Sequence, residues 1–138
     1  MRVIGRNELV ISDPYSGSEL VVYYRPLTTT EVIQYSGELA ALGEGDPLRP
    51  LFTKFGRLVI TGYRDGDFGI DSFDADGNGY TKTVDSSPQS GFFDNEWKQL
   101  VFPEDGQNDD ILAVVGNWAV QCAQNVRRVA PSGAEKKK

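Results

Sequence analysis

The chain has 138 residues, of which 39% are hydrophobic and 25% are charged, and these proportions are typical of one soluble globular domain. Its net charge of −6 argues against nucleic acid or an anionic membrane as a partner, because both would repel an acidic surface. The absence of histidine excludes His-dependent nucleophiles and imidazole zinc sites, and a single cysteine, Cys122, excludes an internal disulfide. No apolar run approaches the roughly 20 residues that cross a bilayer, and no signal-peptide core follows Met1, so we expect a cytoplasmic protein.

The N-terminal part of the chain predicts a β-hairpin. Residues 8–12 and 20–24 are short runs rich in β-branched and aromatic side chains, which favour strands. The Asp-Pro and Ser-Gly pairs between them are typical of turns. The two runs are therefore predicted to pair as antiparallel strands joined by a loop.

The clearest local signal lies directly after the second predicted strand. Pro26 ends that strand, because its ring disfavours further extended pairing. Thr28 and Glu31 have the spacing of a capping box, in which each side chain accepts a hydrogen bond from the other residue's backbone N–H. Leu27 and Val32 stand at the two positions of a hydrophobic staple around that cap. This stretch predicts a strand, a tight turn and the start of a helix.

Two helices are predicted in the middle of the chain. The first covers residues 29–42 and ends at Gly43, where a left-handed C-cap is expected. Its apolar stripe consists of Val32, Tyr35, Leu39 and Leu42. The second covers residues 50–63 and starts at Pro50, a residue favoured in the first turn of a helix. Residues 58–61 are also compatible with a strand, but the apolar side chains that precede them recur at helical spacing.

The segment that follows is rich in Gly, Asp and Ser, from residue 64 to residue 91. It holds two short extended runs, residues 70–73 and 80–84. The Asp-Gly-Asn-Gly sequence between them is a strong turn signal, because Gly and Asn tolerate positive φ. The segment is predicted to form either a small hairpin or a flexible excursion.

The same segment has the spacing of a calcium-binding loop. Five residues occupy the ligand positions of an EF-hand loop: Asp74, Asp76, Asn78, Tyr80 through its carbonyl, and Asp85. Oxygen ligands of this kind suit a hard cation such as calcium. The flanking sequence does not predict helices, and the last ligand position has Asp where Glu is usual. An acidic turn without a metal is therefore the alternative.

Two further helices are predicted near the C-terminus. One lies within residues 92–102 and ends before Pro103. The other covers residues 109–129, with Asn108 as its N-cap. Its apolar stripe consists of Ile111, Val115, Trp118, Cys122 and Val126. The Cys122 thiol is expected to be buried and inert, because no histidine can activate it.

Together these elements predict an α+β fold in which an N-terminal antiparallel β-hairpin packs with three to four helices. Residues 1–130 are expected to form a single domain, and residues 131–138 a disordered tail. No catalytic group and no cofactor are predicted, apart from the calcium hypothesis. A protein-binding surface and self-association are expected from exposed apolar side chains at Phe52, Phe55 and Trp97.

The strand–turn–helix of residues 24–31 resembles that of phage and prophage tail assembly chaperones. In that family an Arg-Pro-Leu-Thr-like turn leads into a helix, and an apolar segment, an Asp-x-Asp-Gly turn and C-terminal helices follow. The matching pieces here are residues 24–31, 58–63, 74–79 and 111–126, and the chain departs from the family between residues 64 and 93.

The resemblance implies a protein without enzyme activity that works in the cytoplasm of the host cell. It would bind a tail component and keep it soluble during assembly. Two alternatives stay open: a calcium-binding module that uses residues 74–85, and a minor structural protein of the tail or of its joining region in the virion.

Overall fold

Five strands and four helices lie in residues 1–2, 7–87 and 96–129, the part of the chain that the computed structural model describes. In chain order they are β1 (Asn7–Asp13), β2 (Ser18–Tyr24), α1 (Thr29–Ala41), α2 (Arg49–Val59), β3 (Ile60–Tyr63), β4 (Gly69–Phe73), β5 (Gly79–Thr83), α3 (Glu96–Val101) and α4 (Asp109–Gln124). The predicted α+β class, with an N-terminal antiparallel hairpin and four helices, is confirmed.

The first three strands form an antiparallel sheet in the order β1-β2-β3. β1 pairs with β2 in unbroken register, from Asn7 opposite Tyr24 to Asp13 opposite Ser18. The loop between them is closed by a hydrogen bond of 2.9 Å from the Gly17 N–H to the Asp13 carbonyl. The N-terminal hairpin is therefore present in the predicted place, and β2 becomes the central strand.

The third strand corrects the prediction of one helix over residues 50–63. Helix α2 ends at Val59, and the next four residues pair with β2 as β3. As the chain leaves the helix, the Val59 carbonyl accepts a hydrogen bond of 2.9 Å from the Arg25 N–H. The second edge of β2 needs backbone partners, and β-branched Ile60 suits an extended strand. This tertiary pairing outweighs the helical spacing of the apolar residues.

Helix α1 begins with the predicted capping box. The Glu31 N–H donates to Thr28 Oγ1 at 3.2 Å, and the Thr28 N–H donates to Glu31 Oε1 at 2.8 Å. Both bonds satisfy N–H groups that have no partner inside the helix. The start of α1 is thus determined by residues within one turn of each other.

The rest of α1 differs from its prediction in two respects. Of the predicted stripe only Tyr35 is buried, and Leu39 is 38% exposed, because α1 meets α2 mainly around Tyr35. At the C-terminus Leu42 is extended, and Gly43 does not adopt the left-handed cap that was expected. The Asp46 carboxylate instead accepts the Gly43 N–H at 2.6 Å, so a side chain provides the acceptor for a backbone N–H just beyond the helix.

Helices α2 and α4 pack with their backbones in direct contact. A Cβ atom added to Gly56 would lie 1.8 Å from the Leu112 carbonyl oxygen. One added to Gly116 would lie 1.8 Å from the Phe52 carbonyl oxygen. Each helix therefore contributes a glycine at the crossing, and the two glycines allow an approach that any larger residue would block.

Both ends of α4 differ from the prediction. Asn108 has φ 62, and its side chain donates to the Val101 carbonyl at 2.8 Å instead of capping α4. At the other end α4 stops at Gln124, before the predicted limit. The Asn125 side chain donates to the Gln121 carbonyl at 2.8 Å, and this local bond competes with continuation of the helix. Val126 lies beyond the helix and is 68% exposed.

The second hairpin is formed by β4 and β5, which pair from Gly69 opposite Thr83 to Phe73 opposite Gly79. This supports the hairpin over the flexible excursion. Its base joins the main core through Phe68, which precedes β4, and through Val84, which follows β5. Its tip extends away from the core, since every residue of β5 is exposed.

The main core lies between the three-stranded sheet and α3 and α4. Its rings include Tyr63, Phe68, Trp97 and Phe102, with centroid distances of 4.5 Å for Tyr63–Phe68 and 5.3 Å for Tyr63–Trp97. Residues 92–95 of the predicted third helix and the predicted tail, residues 131–138, lie outside the described residues. The described part of that helix is α3.

Candidate partner-binding groove

An apolar groove lies between the turn that follows β2, the start of α1 and the C-terminal half of α4. Its volume is about 390 Å³, within the range of small binding pockets. The apolar side chains on its walls are Pro26, Leu27, Val32, Ala119, Ala123 and Val126. We refer to it as the α1–α4 groove. It opens to solvent beside two of the segments that carry the resemblance to tail chaperones.

The α1 wall of the groove is held in place by an ion pair. Arg25 donates from Nη1 to Glu31 Oε1 at 2.7 Å and from Nη2 to Glu31 Oε2 at 2.8 Å. The guanidinium also donates to the Leu58 carbonyl at 3.1 Å, which ties the turn to the end of α2. The hydrogen bonds from Arg25, followed by the Thr28 N–H, lower the pKa of Glu31 to about 2. The turn is thus fixed before any ligand arrives.

Polar side chains also line the groove: Arg2, Asn7, Tyr24, Thr29 and Cys122. The Trp118 Nε1–H donates to the Tyr24 hydroxyl at 2.7 Å, and the Cys122 sulfur lies 3.9 Å from the same hydroxyl. Burial, opposed by the bond from Trp118, raises the pKa of Tyr24 above its usual value, so the hydroxyl stays protonated. These groups can orient a ligand, while the surrounding side chains supply apolar contact.

Two residues of the predicted α4 stripe lie outside the core: Cys122 lines the groove, and Trp118 donates to the Tyr24 hydroxyl beside it. Trp118 is 41% exposed, and Cys122 is half-buried, so the expected burial of the thiol is only partly right. The buried face of α4 includes Leu112 and Ala119. The apolar residues of α4 cover more than one face, and this excess is the sequence signal that could have indicated a second contact surface.

The three residues predicted to bind a partner lie elsewhere. Phe55 is fully buried and Trp97 is 3% exposed, so the expectation that they form an exposed patch is wrong. Phe55 packs edge-on against Tyr35 at a centroid distance of 5.5 Å, and Trp97 packs against Tyr63. Phe52 is half-buried beside Tyr35. The large apolar area of these aromatic rings is therefore mostly buried inside the protein and does not form a surface patch.

The sequence-predicted calcium ligands are distributed over a turn, a strand and a loop. Asp74 Oδ1 accepts the N–H groups of Asp76 and Asn78, each at 2.9 Å, and so stabilises the turn of the second hairpin. Tyr80 lies in β5, and Asp85 Oδ1 accepts the Gly66 N–H at 2.8 Å. Within residues 1–2, 7–87 and 96–129, no three acidic or Cys side chains are placed to hold a metal ion. Calcium binding stays a prediction.

A larger polar cleft of about 630 Å³ lies at the other end of the sheet. Four aspartates line it: Asp13, Asp67, Asp109 and Asp110. The Asp13 carboxylate accepts the N–H groups of the hairpin loop, and Asp67 Oδ2 accepts the Val21 N–H at 2.7 Å. Asp109 lies 3.6 Å from Arg57. Three of these four carboxylates, Asp13, Asp67 and Asp109, thus contact backbone N–H groups or arginine side chains of the protein itself.

No protein-family model, curated protein or solved structure matches this chain. None of the helices in the described part of the chain has the length and apolar character needed to cross a membrane. The function is therefore argued from the α1–α4 groove and from the sequence resemblance.

Proposed function

We propose that this chain is a non-enzymatic accessory protein of phage or prophage tail assembly that acts in the cytoplasm of the host cell. It binds an apolar segment of a tail component in the α1–α4 groove. The proposal rests on the resemblance of the strand–turn–helix to tail assembly chaperones, and on one geometric observation. Residues 24–31 and 111–126, two of the segments that carry the resemblance, also supply most of the walls of the groove.

The groove has the character of a preorganised protein-binding site. Apolar side chains line its walls, and the ion pair between Arg25 and Glu31 fixes the turn on one side. A rigid wall lowers the entropy that binding must overcome. Its polar lining consists of Tyr24 and Cys122 together with Arg2, Asn7 and Thr29.

The net charge of −6 favours a segment that is neutral or basic outside its apolar side chains. Release of the tail component would leave the groove open to bind again. A chaperone of this kind is absent from the finished particle, whereas a minor tail or joining protein remains in it. Mass spectrometry of purified particles separates these two roles.

The test is capture of a tail component from a phage-producing host by tagged protein, with two matched variants. Val126 lines the groove and is 68% exposed, so Val126→Asp should leave the fold intact. Burying a valine contributes about 1.5 kcal/mol or more, so a carboxylate there should weaken capture at least about tenfold. Val129→Asp adds the same charge at a position that is 88% exposed and should leave capture unchanged.

Equal capture by the wild type and Val126→Asp would contradict the assignment of the groove. Capture of no tail component by the wild type would contradict the proposed function itself. The Val129→Asp control distinguishes loss of the groove contact from a general effect of added negative charge.

A further inference from the structure

The outer edge of β1 is the least protected part of the sheet. β1 has seven residues, contains neither proline nor lysine, and keeps unbroken register with β2. Proteins usually blunt an edge strand of this length with a bulge, a proline, a lysine or a covering segment. β1 occupies one end of the strand order, and no described strand pairs with its outer side.

The opposite edge of the same sheet is covered. β2 pairs with β3 through a bulge, and the Ser86 hydroxyl covers the outer side of β3. It accepts the Tyr63 N–H at 2.9 Å and donates to the Tyr63 carbonyl at 3.1 Å. One edge of the sheet is thus closed by the chain itself, whereas β1 is a regular strand whose outer side pairs with none of the described strands.

The direction of the free backbone groups follows from the contacts of Val21. Its N–H donates to Asp67 at 2.7 Å and its carbonyl accepts from the Arg64 N–H at 2.9 Å, both on the β3 side of β2. Val10 lies opposite Val21, so the two form a non-hydrogen-bonded pair, in which the backbone N–H and carbonyl groups of each residue point away from the other strand. The N–H and carbonyl of Val10 therefore point outward from the sheet.

The same alternation gives the other outward residues of β1. Glu8 and Ser12 lie two positions to either side of Val10, so their backbone groups also point to the free side. Val10 is 55% exposed, although Val21, its cross-strand neighbour on the same face of the sheet, is buried at 9%. The edge thus offers three pairs of N–H and carbonyl groups around an exposed valine.

We infer that β1 pairs with β1 of a second copy of this chain, antiparallel and about a two-fold axis through Val10. This register places Val10 opposite Val10 of the second copy, and Glu8 opposite Ser12. The three outward residues of each copy then form six backbone hydrogen bonds, and the two sheets join into one of six strands.

The charges of β1 fit this register. Its two acidic residues are Glu8 and Asp13, and neither meets a carboxylate across the axis: Glu8 faces Ser12, and Asp13 faces Asn7. Like charges directly opposite each other would destabilise the pair. The remaining repulsion is between the whole molecules, each of net charge −6, so added salt should strengthen the dimer.

Light scattering coupled to size-exclusion chromatography, over a dilution series, measures the pairing. The wild type is expected to be a dimer that dissociates on dilution. Val10→Pro removes an outward N–H that β2 does not bind, and Val10→Lys places like charges opposite each other across the axis. Both variants should be monomers with unchanged circular dichroism, whereas Val114→Lys, at an exposed position of α4, should remain a dimer.

Disulfide cross-linking tests the register, in a Cys122→Ser background. Val10→Cys should cross-link to itself, because hydrogen-bonded antiparallel neighbours have Cα atoms about 5.5 Å apart. Glu8→Cys and Ser12→Cys should each stay monomeric on denaturing gels, since equivalent residues are then about 14 Å apart. Mixed together, these two variants should form a heterodimer.

A wild type that is monomeric throughout the dilution series would overturn the inference. So would a dimer that survives Val10→Pro and Val10→Lys, or cross-linking of Glu8→Cys to itself. The pairing is made by the outward backbone groups of Glu8, Val10 and Ser12, none of which lines the α1–α4 groove, so its failure leaves the proposed function standing.

Discussion

The glycine crossing between α2 and α4 gives the sharpest test of the packing. In Gly56→Ala the new Cβ would lie 1.8 Å from the Leu112 carbonyl oxygen and 2.7 Å from its carbon. Gly116→Ala meets the Phe52 carbonyl at the same short distance. Both obstacles are backbone atoms, so no side chain can rotate away, and the helices must separate by well over an ångström.

The expected magnitude is a difference of two effects. Replacing Gly by Ala inside a helix gains up to about 1 kcal/mol of helix propensity. Overpacking costs about 1–3 kcal/mol and sometimes more, and separating two helix backbones belongs at or above the upper limit. We expect Gly56→Ala and Gly116→Ala each to lower the free energy of unfolding by a net of about 2 kcal/mol.

Gly37 in α1 is the matched control, because a Cβ there has no other atom within 4 Å. Gly37→Ala should gain the propensity term alone and stabilise the protein by about 0.5–1 kcal/mol. Urea unfolding followed by tryptophan fluorescence measures all three variants, with stability changes taken from the midpoint at constant slope. A midpoint for Gly56→Ala at or above that of the wild type would refute the close crossing.

Three further outcomes are expected. The pKa of Glu31 is about 2 in the folded state against an ordinary 4.5, so its carboxylate stabilises the fold above about pH 4.5, and this contribution is lost as the pH falls towards 2. In urea titrations, the difference in unfolding free energy between the wild type and Glu31→Gln should therefore shrink between pH 6 and pH 3. A constant difference would contradict the ion pair. Tyr63→Phe leaves the Val84 carbonyl without its buried donor and should lower the free energy of unfolding by about 1–3 kcal/mol. Tyr24→Phe should lower it by less than about 1 kcal/mol, because its partner Trp118 can reach water. Equal losses of unfolding free energy would be inconsistent with this difference in burial. Calorimetric titration with calcium decides the calcium alternative: saturable heat that Asp76→Asn abolishes would establish it, whereas no saturable heat is expected if Asp74 and Asp85 serve only to accept backbone N–H groups.

The features that the sequence predicted correctly are local. The capping box of Thr28 and Glu31 joins residues three apart, and the first hairpin depends on alternating residues around one loop. In both cases the partners lie within one turn or one hairpin, so their chemistry could be read from a short stretch. The same holds for the turn around Asp74.

The features that differed depend on residues far apart in the chain. Residues 60–63 become a strand because the edge of β2 needs partners, which helical spacing alone does not reveal. Asn108 looked like a helix cap, but its side chain binds Val101 and its backbone is left-handed. A local pattern shows only which hydrogen bonds a residue could form. Which of them forms depends on residues that the fold brings close from elsewhere in the chain.

The candidate site illustrates the same limit. The groove joins residues near position 27 to residues near position 122, and no local pattern relates the two segments. The large aromatic residues chosen as partner contacts, Phe55 and Trp97, are instead used in the core. Smaller side chains such as Leu27 and Val32 line the groove, and their sequence signal is the hydrophobic staple, which has a structural explanation of its own.

Site-specific photo-cross-linking in a phage-producing host tests whether the α1–α4 groove binds a tail component. A photoreactive residue is placed at position 126, which lines the α1–α4 groove, or at position 129, which lies outside it. We predict that a tail component, identified by mass spectrometry, is linked from position 126 and not from position 129. No tail component linked from position 126, or equal linking from both positions, would contradict it.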